Sequence, residues 1–530
     1  MSDQISPSAT AELADLLIKK MGKQAVAQDD ATCDLMSQDI WAKGDRPDLV
    51  VRPVTVEQLI DAVKAAHAHG VALNPRGAGM SYTKAFAPDR PHVGILDLSG
   101  LNRIIELNTE DMYVTVEAGC TWIDLHTALK AKGVRTPFWG PLSGLTSTIG
   151  GGLSQNNAFF GAGKYGSTGD SVLSVAVVLA DGTLVRTGSA GTRGGKPFWR
   201  HYGPDLTGLF VGDGGTLGYK AEITLRLIPS PEHEAWSSFE FETRDACARA
   251  MAAMAKEDLA CEIFGFDPNL TKVRMARASF LSDAKSLTNV MKQQGSFLKA
   301  LKEGAKVAMA GRGFMDDASY TLHATVEGRS AAGVKEEMAM LVRIAEAAGG
   351  KVIENSIPKI IRANPFGPLN SMLGPRGERW VPIHGIVPVS QGPACWKDLE
   401  DGFEAMRADL DRHEILTGAL VTTLGTTGYL IEPVFIWPEE IFAIHEQAVE
   451  ASVLSKYPRY APNPAATAMV AKARQFVLDT FSKHGAAHFQ IGRTYPYRAG
   501  RDPASWALLE TIKTALDPAT NVNPGALGLG

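Results

Sequence analysis

The spacing of apolar and polar positions divides this 530-residue chain into two regimes. In the first, short periodic segments are punctuated by glycine-dense turns. Apolar residues recur at helical spacing over 9–20, behind Ser8 as a cap, and over 56–69, where Gly70 supplies a helix-ending residue. A strand predicted over 71–75 runs into Pro75-Arg76-Gly77-Ala78-Gly79-Met80-Ser81-Tyr82. Positions 112–117 alternate as a strand, and a helix over 122–132 stops at Gly133. The β-rich runs 172–179 and 183–187 are joined by Ala180-Asp181-Gly182, a hairpin signal. A helix-like stretch at 206–211, a glycine turn at 212–218 and a strand over 221–228 complete this part. Pro229-Ser230-Pro231 breaks the composition and predicts a domain boundary. Beyond it, helical patterns at 286–309, 331–348, 397–413 and 439–455 alternate with strands at 321–327 and 430–437. A last helix, 506–516, precedes Asp517-Pro518 and Asn523-Pro524-Gly525, which is turn chemistry.

Two glycine segments carry the candidate chemistry: 75–82, and Thr148-Ile149-Gly150-Gly151-Gly152 some sixty residues later. Both read as turns whose small residues let backbone N–H groups converge on an anion. Two such turns, a folding unit apart, suit a ligand with two phosphates. No Gly-Lys-Ser/Thr follows either, so neither is a Walker loop. Gly77-Ala78-Gly79 has no third glycine opening a helix, which excludes the Rossmann fingerprint. The reading is a dinucleotide held another way. A net charge of −5, with Lys and Arg scattered, offers no basic stripe for nucleic acid. Five cysteines without a CxxC pair predict reduced core thiols rather than disulfides or a metal site. The N-terminus lacks a basic-then-apolar signal, and no apolar run approaches the ~20 residues that span a bilayer. The expectation is a cytoplasmic enzyme.

Taken in order, these segments resemble the vanillyl-alcohol oxidase / p-cresol methylhydroxylase superfamily of FAD enzymes. The matching pieces occupy 45–230 and 485–527: Val51-Arg52-Pro53, Arg76-Gly77-Ala78-Gly79, Val116-Glu117-Ala118-Gly119, Thr148-Ile149-Gly150-Gly151, Lys164-Tyr165-Gly166 with Asp170, Val178-Leu179-Ala180-Asp181-Gly182, Gly215-Thr216-Leu217-Gly218, and Asp517-Pro518 through Asn523-Pro524-Gly525. The resemblance implies an α+β fold. A bipartite FAD-binding domain (1–230) would be completed by a C-terminal return (485–530), and a cap with an antiparallel sheet (231–484) would close the active site. It assigns the cofactor to Arg76, Gly77, Ala78, Gly79, Met80 and Ser81, to Pro141, Ser147, Thr148, Gly150, Gly151 and Asn156, and to Tyr165, Gly166, Gly215 and Gly218. Backbone amides of both glycine segments would hold the pyrophosphate. Relatives that attach flavin covalently use a histidine where this chain has Met80, or a cysteine where Thr146 and Ser147 stand. Dissociable FAD is therefore the expectation, with a tyrosyl bond at Tyr429 the lesser alternative.

For the substrate, the resemblance offers two classes. Relatives acting on para-substituted phenols stabilise phenolate with two tyrosines and an arginine, so that hydride leaves an alcohol or benzylic carbon. Tyr82 matches one tyrosine and Arg493 the arginine. The second tyrosine is replaced by Gly492, with Tyr495 or Tyr497 as substitutes, and the subgroup's acid would fall near Phe159-Phe160. The rival class, D-2-hydroxy-acid dehydrogenases, carries clustered metal-binding histidines and a Glu-His-Gly-Ile-Gly stretch. Here only Ala487-His488-Phe489-Gln490-Ile491-Gly492 remains. His384 and His488 are second-rank candidates, His384 as a general base, while His413 and His445 read as solvated helix positions. No metal is expected. The preferred reading is a phenolic substrate held by Tyr82 and Arg493, with O2 or a protein or quinone as electron acceptor; relatives are often dimers through the cap, which leaves a homodimer open for this chain. A decayed flavin-binding scaffold is the non-enzymatic alternative.

Overall fold

The computed structural model describes residues 7–280 and 319–530. The pattern at 286–309 lies outside the described residues. Near the N-terminus, helices Pro7–Met21 and Val56–Ala68 cover a four-stranded sheet ordered Val26–Ala27, Leu49–Val51, Gly94–Asp97, Leu73–Arg76, with parallel pairing around Gly94–Asp97. Thr55 caps the second helix by accepting from Gln58 N, and Gly70 ends it at φ 65°. A second, antiparallel sheet runs Ile104–Asn108, Tyr113–Glu117, Tyr219–Arg226, Val172–Val178, Leu184–Arg186. Its hairpin at Gly182 (φ 82°) is fixed by Asp181, whose carboxylate accepts from the amide and hydroxyl of Thr183.

After Ile228–Pro229, the chain enters an eight-stranded antiparallel sheet. Its order is Lys351–Ile353, His233–Phe241, Tyr320–Gly328, Ala260–Phe266, Leu416–Leu424, Gly428–Trp437, Arg379–Pro382, with Gly385–Pro388 also on Gly428–Trp437. Helices Arg244–Lys256, Ala331–Ala347, Gly392–Ala405 and Pro464–Lys483 bury their apolar stripes against one face. The pattern read as one helix at 397–413 is two, breaking at Met406, and starts earlier because Pro393 sits in the first turn. The helix expected at 439–455 is two short turns, Ala443–Ala448 and Ala451–Leu454. Val449 leaves helical geometry (ψ 139°) to bury itself beside Ile40 and Leu369.

The C-terminus returns to the first sheet. Leu73 N donates to Asn521 O, and Asn523 N to Leu73 O, so 521–523 adds to that sheet's edge. Buried Lys513 ties the helix Pro503–Leu516 down through Asp517 and the carbonyls of Thr216 and Val522. All five cysteines are buried and free.

Candidate functional site

A cavity lies where the two glycine segments face the eight-stranded sheet. The strand Leu73–Arg76 delivers the first segment. In the described structure the amides of Gly77 to Tyr82 donate to no backbone carbonyl, although these residues line the cavity. That leaves a run of unspent donors facing open space. Side chains are excluded by contact: a Cβ on Gly77 would meet Thr148 Oγ1 at 2.4 Å, and one on Gly215 would meet Pro75 Cγ at 2.7 Å. Gly79, at φ 78°, turns the chain. Arg76 also lines the cavity, yet its guanidinium donates to Met36 O (3.1 Å) and Gln38 O (2.7 Å) and lies over Phe86, bracing the segment from beneath.

The second segment differs from the sequence reading. It opens a helix, Ile149–Gln155, capped by Thr148. Its amides are already spent: Ile149 N on Cys120 O, Gly150 N on Ala118 O, Gly151 N on Thr148 Oγ1 and Gly152 N on Thr148 O. A Cβ on Gly150 would meet Ala118 Cβ at 2.7 Å, so glycine here permits close packing rather than amide donation. Of the expected cofactor residues, Arg76, Gly77, Ala78, Gly79, Met80, Ser81, Pro141, Ser147, Thr148, Gly150, Gly151, Gly215 and Gly218 line the cavity together. Asn156, Tyr165 and Gly166 do not. Asn156 is the left-handed cap of the helix (φ 49°) and accepts from Gly169 N, while its neighbour Asn157 reaches the cavity. Tyr165 sits beside Arg135, and Gly166 forms a turn against Asp170. The exposed amides, close glycine walls and absence of intruding side chains fit a diphosphate-bearing flavin.

At the other end, Tyr82, Phe159, Trp380, Leu420, Leu430, Val434, Phe489 and Gln490 form a largely apolar chamber. One carboxylate interrupts it. Glu432 stands opposite Leu420 in the strand pair Leu416–Leu424 and Gly428–Trp437, and its Oε2 accepts from Tyr82 Oη at 3.3 Å. Glu432 opens to the cavity and is otherwise enclosed by protein. Desolvation raises its pKa to about 7, against a smaller lowering by the Tyr82 bond. Burial and the Glu432 charge push the Tyr82 phenol well upward, so it remains a donor. The sequence signal was a lone acid in an apolar strand, Leu430-Ile431-Glu432-Pro433-Val434, on the face period two assigns to Leu430 and Val434.

The same alternation turns Tyr429 away. It is fully buried in the cap core, its ring against Gly392, and does not reach the cavity. Arg493 is also elsewhere. Its donors are spent on Asp89 Oδ2 (3.1 Å), Lys84 O (2.8 Å), Ala85 O (3.0 Å), Asn523 Oδ1 (3.1 Å) and Pro524 O. It clamps the exit of the first glycine segment to the C-terminus and does not line the chamber; Tyr497 shares its separate surface pocket. His384 is buried behind Tyr82, their rings 5.8 Å apart, and burial lowers its pKa to about 3, so it stays neutral. The Tyr495 hydroxyl donates to His384 O at 2.7 Å and lies 2.9 Å from Nδ1, while His488 stacks on Tyr495. These three rings support the chamber wall from outside the cavity. His445, read as solvated, is buried, with Phe442 N donating to its Nδ1. Among the described residues no group of three His, Cys, Asp or Glu could hold a metal, and no helix is long and apolar enough to cross a membrane.

Comparison with known proteins places this geometry. The family described as FAD binding domain matches residues 47–188. The chain is 27% identical over 379 residues to glycolate oxidase subunit GlcD of Bacillus subtilis, covering 71% of this chain and 78% of that one. It is 32% identical over 247 residues to a mitochondrial D-lactate dehydrogenase [cytochrome] of Arabidopsis thaliana, covering 46% of this chain and 41% of that one. In fold it is similar to p-cresol methylhydroxylase solved with substrate bound: TM-score 0.74, 17% identity, covering 99% of this chain and 98% of that one.

Proposed function

We propose that this chain, whose residues 47–188 match the FAD binding domain family and whose fold is similar to that of p-cresol methylhydroxylase, oxidises an alcohol or benzylic C–H of a para-substituted phenol. Bound FAD supplies the two-electron acceptor that takes the hydride. The cradle residues 76–81, 147–151 and 215–218 would hold it. The chamber walls Phe159, Trp380, Leu430, Val434 and Phe489 exclude water and orient an aromatic ring. Glu432, with its pKa near neutrality, accepts the proton of the substrate hydroxyl at its carboxylate. Tyr82 donates to Glu432 and fixes its orientation. Removing that proton enriches the ring in electron density and eases hydride departure, leaving a quinone methide or carbonyl product.

The observation carrying this reading is the Tyr82–Glu432 pair within apolar walls. A buried acid there is suited to take a proton from a neutral hydroxyl. The glycolate and D-lactate enzymes among the relatives favour a 2-hydroxy acid as the second reading. Anaerobic mixing with 4-alkylphenols, 4-hydroxybenzyl alcohols, D-lactate and glycolate separates the two. Loss of visible flavin absorbance is expected with the phenols. Reduction by the hydroxy acids alone would overturn the proposal.

A further inference from the structure

We propose that the loop at 191–206 docks this enzyme onto an anionic lipid surface. Phe198, Trp199, Tyr202 and Leu206 are 56%, 55%, 66% and 48% exposed. Large apolar side chains scattered singly on a surface need no explanation, but three aromatics within five positions do. The loop does not hide them because its own hydrogen bonds hold it open. Ser189 N donates to Trp199 O (2.8 Å), and Trp199 N donates to Ser189 Oγ (3.0 Å). Arg200 grips Asp205 and donates to Gly169 O at 2.6 Å. The backbone is thereby pinned while the rings project outward.

Charge selects the occupant. The loop carries Arg193, Lys196 and Arg200 against a single acid, Asp205, in a chain whose net charge is −5. Asp205 is committed to Arg200. Arg193 and Lys196 are exposed and form none of the salt bridges found among the described residues. Trp and Tyr favour the headgroup level of a bilayer, Phe and Leu the acyl boundary, and Lys and Arg the anionic headgroups. The docked face belongs to the FAD-binding half: Gly169, which Arg200 holds, donates its N–H to Asn156 at the end of the helix Ile149–Gln155.

Co-sedimentation of the flavin-loaded enzyme with vesicles tests this. We expect binding to phosphatidylcholine vesicles containing phosphatidylglycerol, none to phosphatidylcholine alone, and weakening by salt. R193Q/K196Q should lower the partition coefficient on the order of 25-fold, about fivefold per lost charge. F198S/W199S/Y202S should abolish binding while flavin content and thermal midpoint stay those of the unsubstituted chain, because these side chains are solvent-facing. Absence of binding to the anionic vesicles, or binding that both variants retain, overturns the proposal. So does a concentration-dependent dimer that the triple variant alone loses, which would make a second copy the occupant.

Discussion

Replacing Glu432 by Gln tests the site's chemistry and its energetics in one variant. Glutamine keeps the shape and can still accept from Tyr82, so the perturbation is confined to charge and basicity. Raising a carboxyl from its ordinary 4.5 to about 7 disfavours the charged form by about 3 kcal/mol at most, less whatever water in the cavity screens. A folded-state pKa above the unfolded one means that the stability Glu432 contributes is complete below pH 4.5. It declines as pH rises towards about 7 and is absent above. E432Q carries no such loss. Chemical denaturation should therefore find the two proteins nearly equal at pH 5 and the Gln variant more stable by ~2 kcal/mol at pH 8. Stopped-flow reduction should move the other way, slower by at least ~100-fold at pH 8, as loss of a positioned proton acceptor requires. The wild-type rise in reduction rate through pH 7 should vanish. Reduction by E432Q within ~3-fold of wild type, or a stability gap that does not widen with pH, would refute the role given to this carboxylate.

Tyr82→Phe removes the bond that lowers the Glu432 pKa, so the rise in reduction rate should shift to higher pH, with a ~10- to 100-fold slower limiting rate; an unshifted profile argues against the pairing. Arg493→Met should act on stability. It strands the carbonyls of Lys84 and Pro524, at a cost of about 1–3 kcal/mol each, while Ala85 O keeps its bond from Asn523; the folded fraction keeps a reduction rate within ~10-fold of wild type, whereas a transition-state contact would cost more. Because Tyr429 is enclosed in the cap core, acid precipitation should leave FAD in the supernatant, and flavin that stays with the pellet would contradict this.

The first glycine segment was legible as a turn because its constraints are local: naked backbone, close approach and the turn at Gly79 leave a signature within a few residues. The hairpin at Ala180-Asp181-Gly182 was legible for the same reason. What escaped depends on partners distant in the chain. Glu432 and Tyr82 are 350 positions apart, and nothing local marks their meeting. Arg493 looked like a charge awaiting a substrate because sequence does not reveal that Asp89, Asn523 and three backbone carbonyls use its whole fork. The second glycine segment was read as a loop because the carbonyls that consume its amides, at Ala118 and Cys120, come from another strand's end. Val449 broke a helical pattern because its burial against Ile40 and Leu369 outweighed local propensity.

The most direct test of phenol oxidation at the Tyr82–Glu432 pair is anaerobic flavin reduction by 4-hydroxybenzyl alcohol compared with 4-methoxybenzyl alcohol. The two share the reacting carbon and ring, and only the first can surrender a proton to Glu432. The expected result is reduction by the hydroxyl compound and a rate at least ~100-fold lower with the ether. Equal rates, or reduction by neither compound while D-lactate bleaches the flavin, would contradict it.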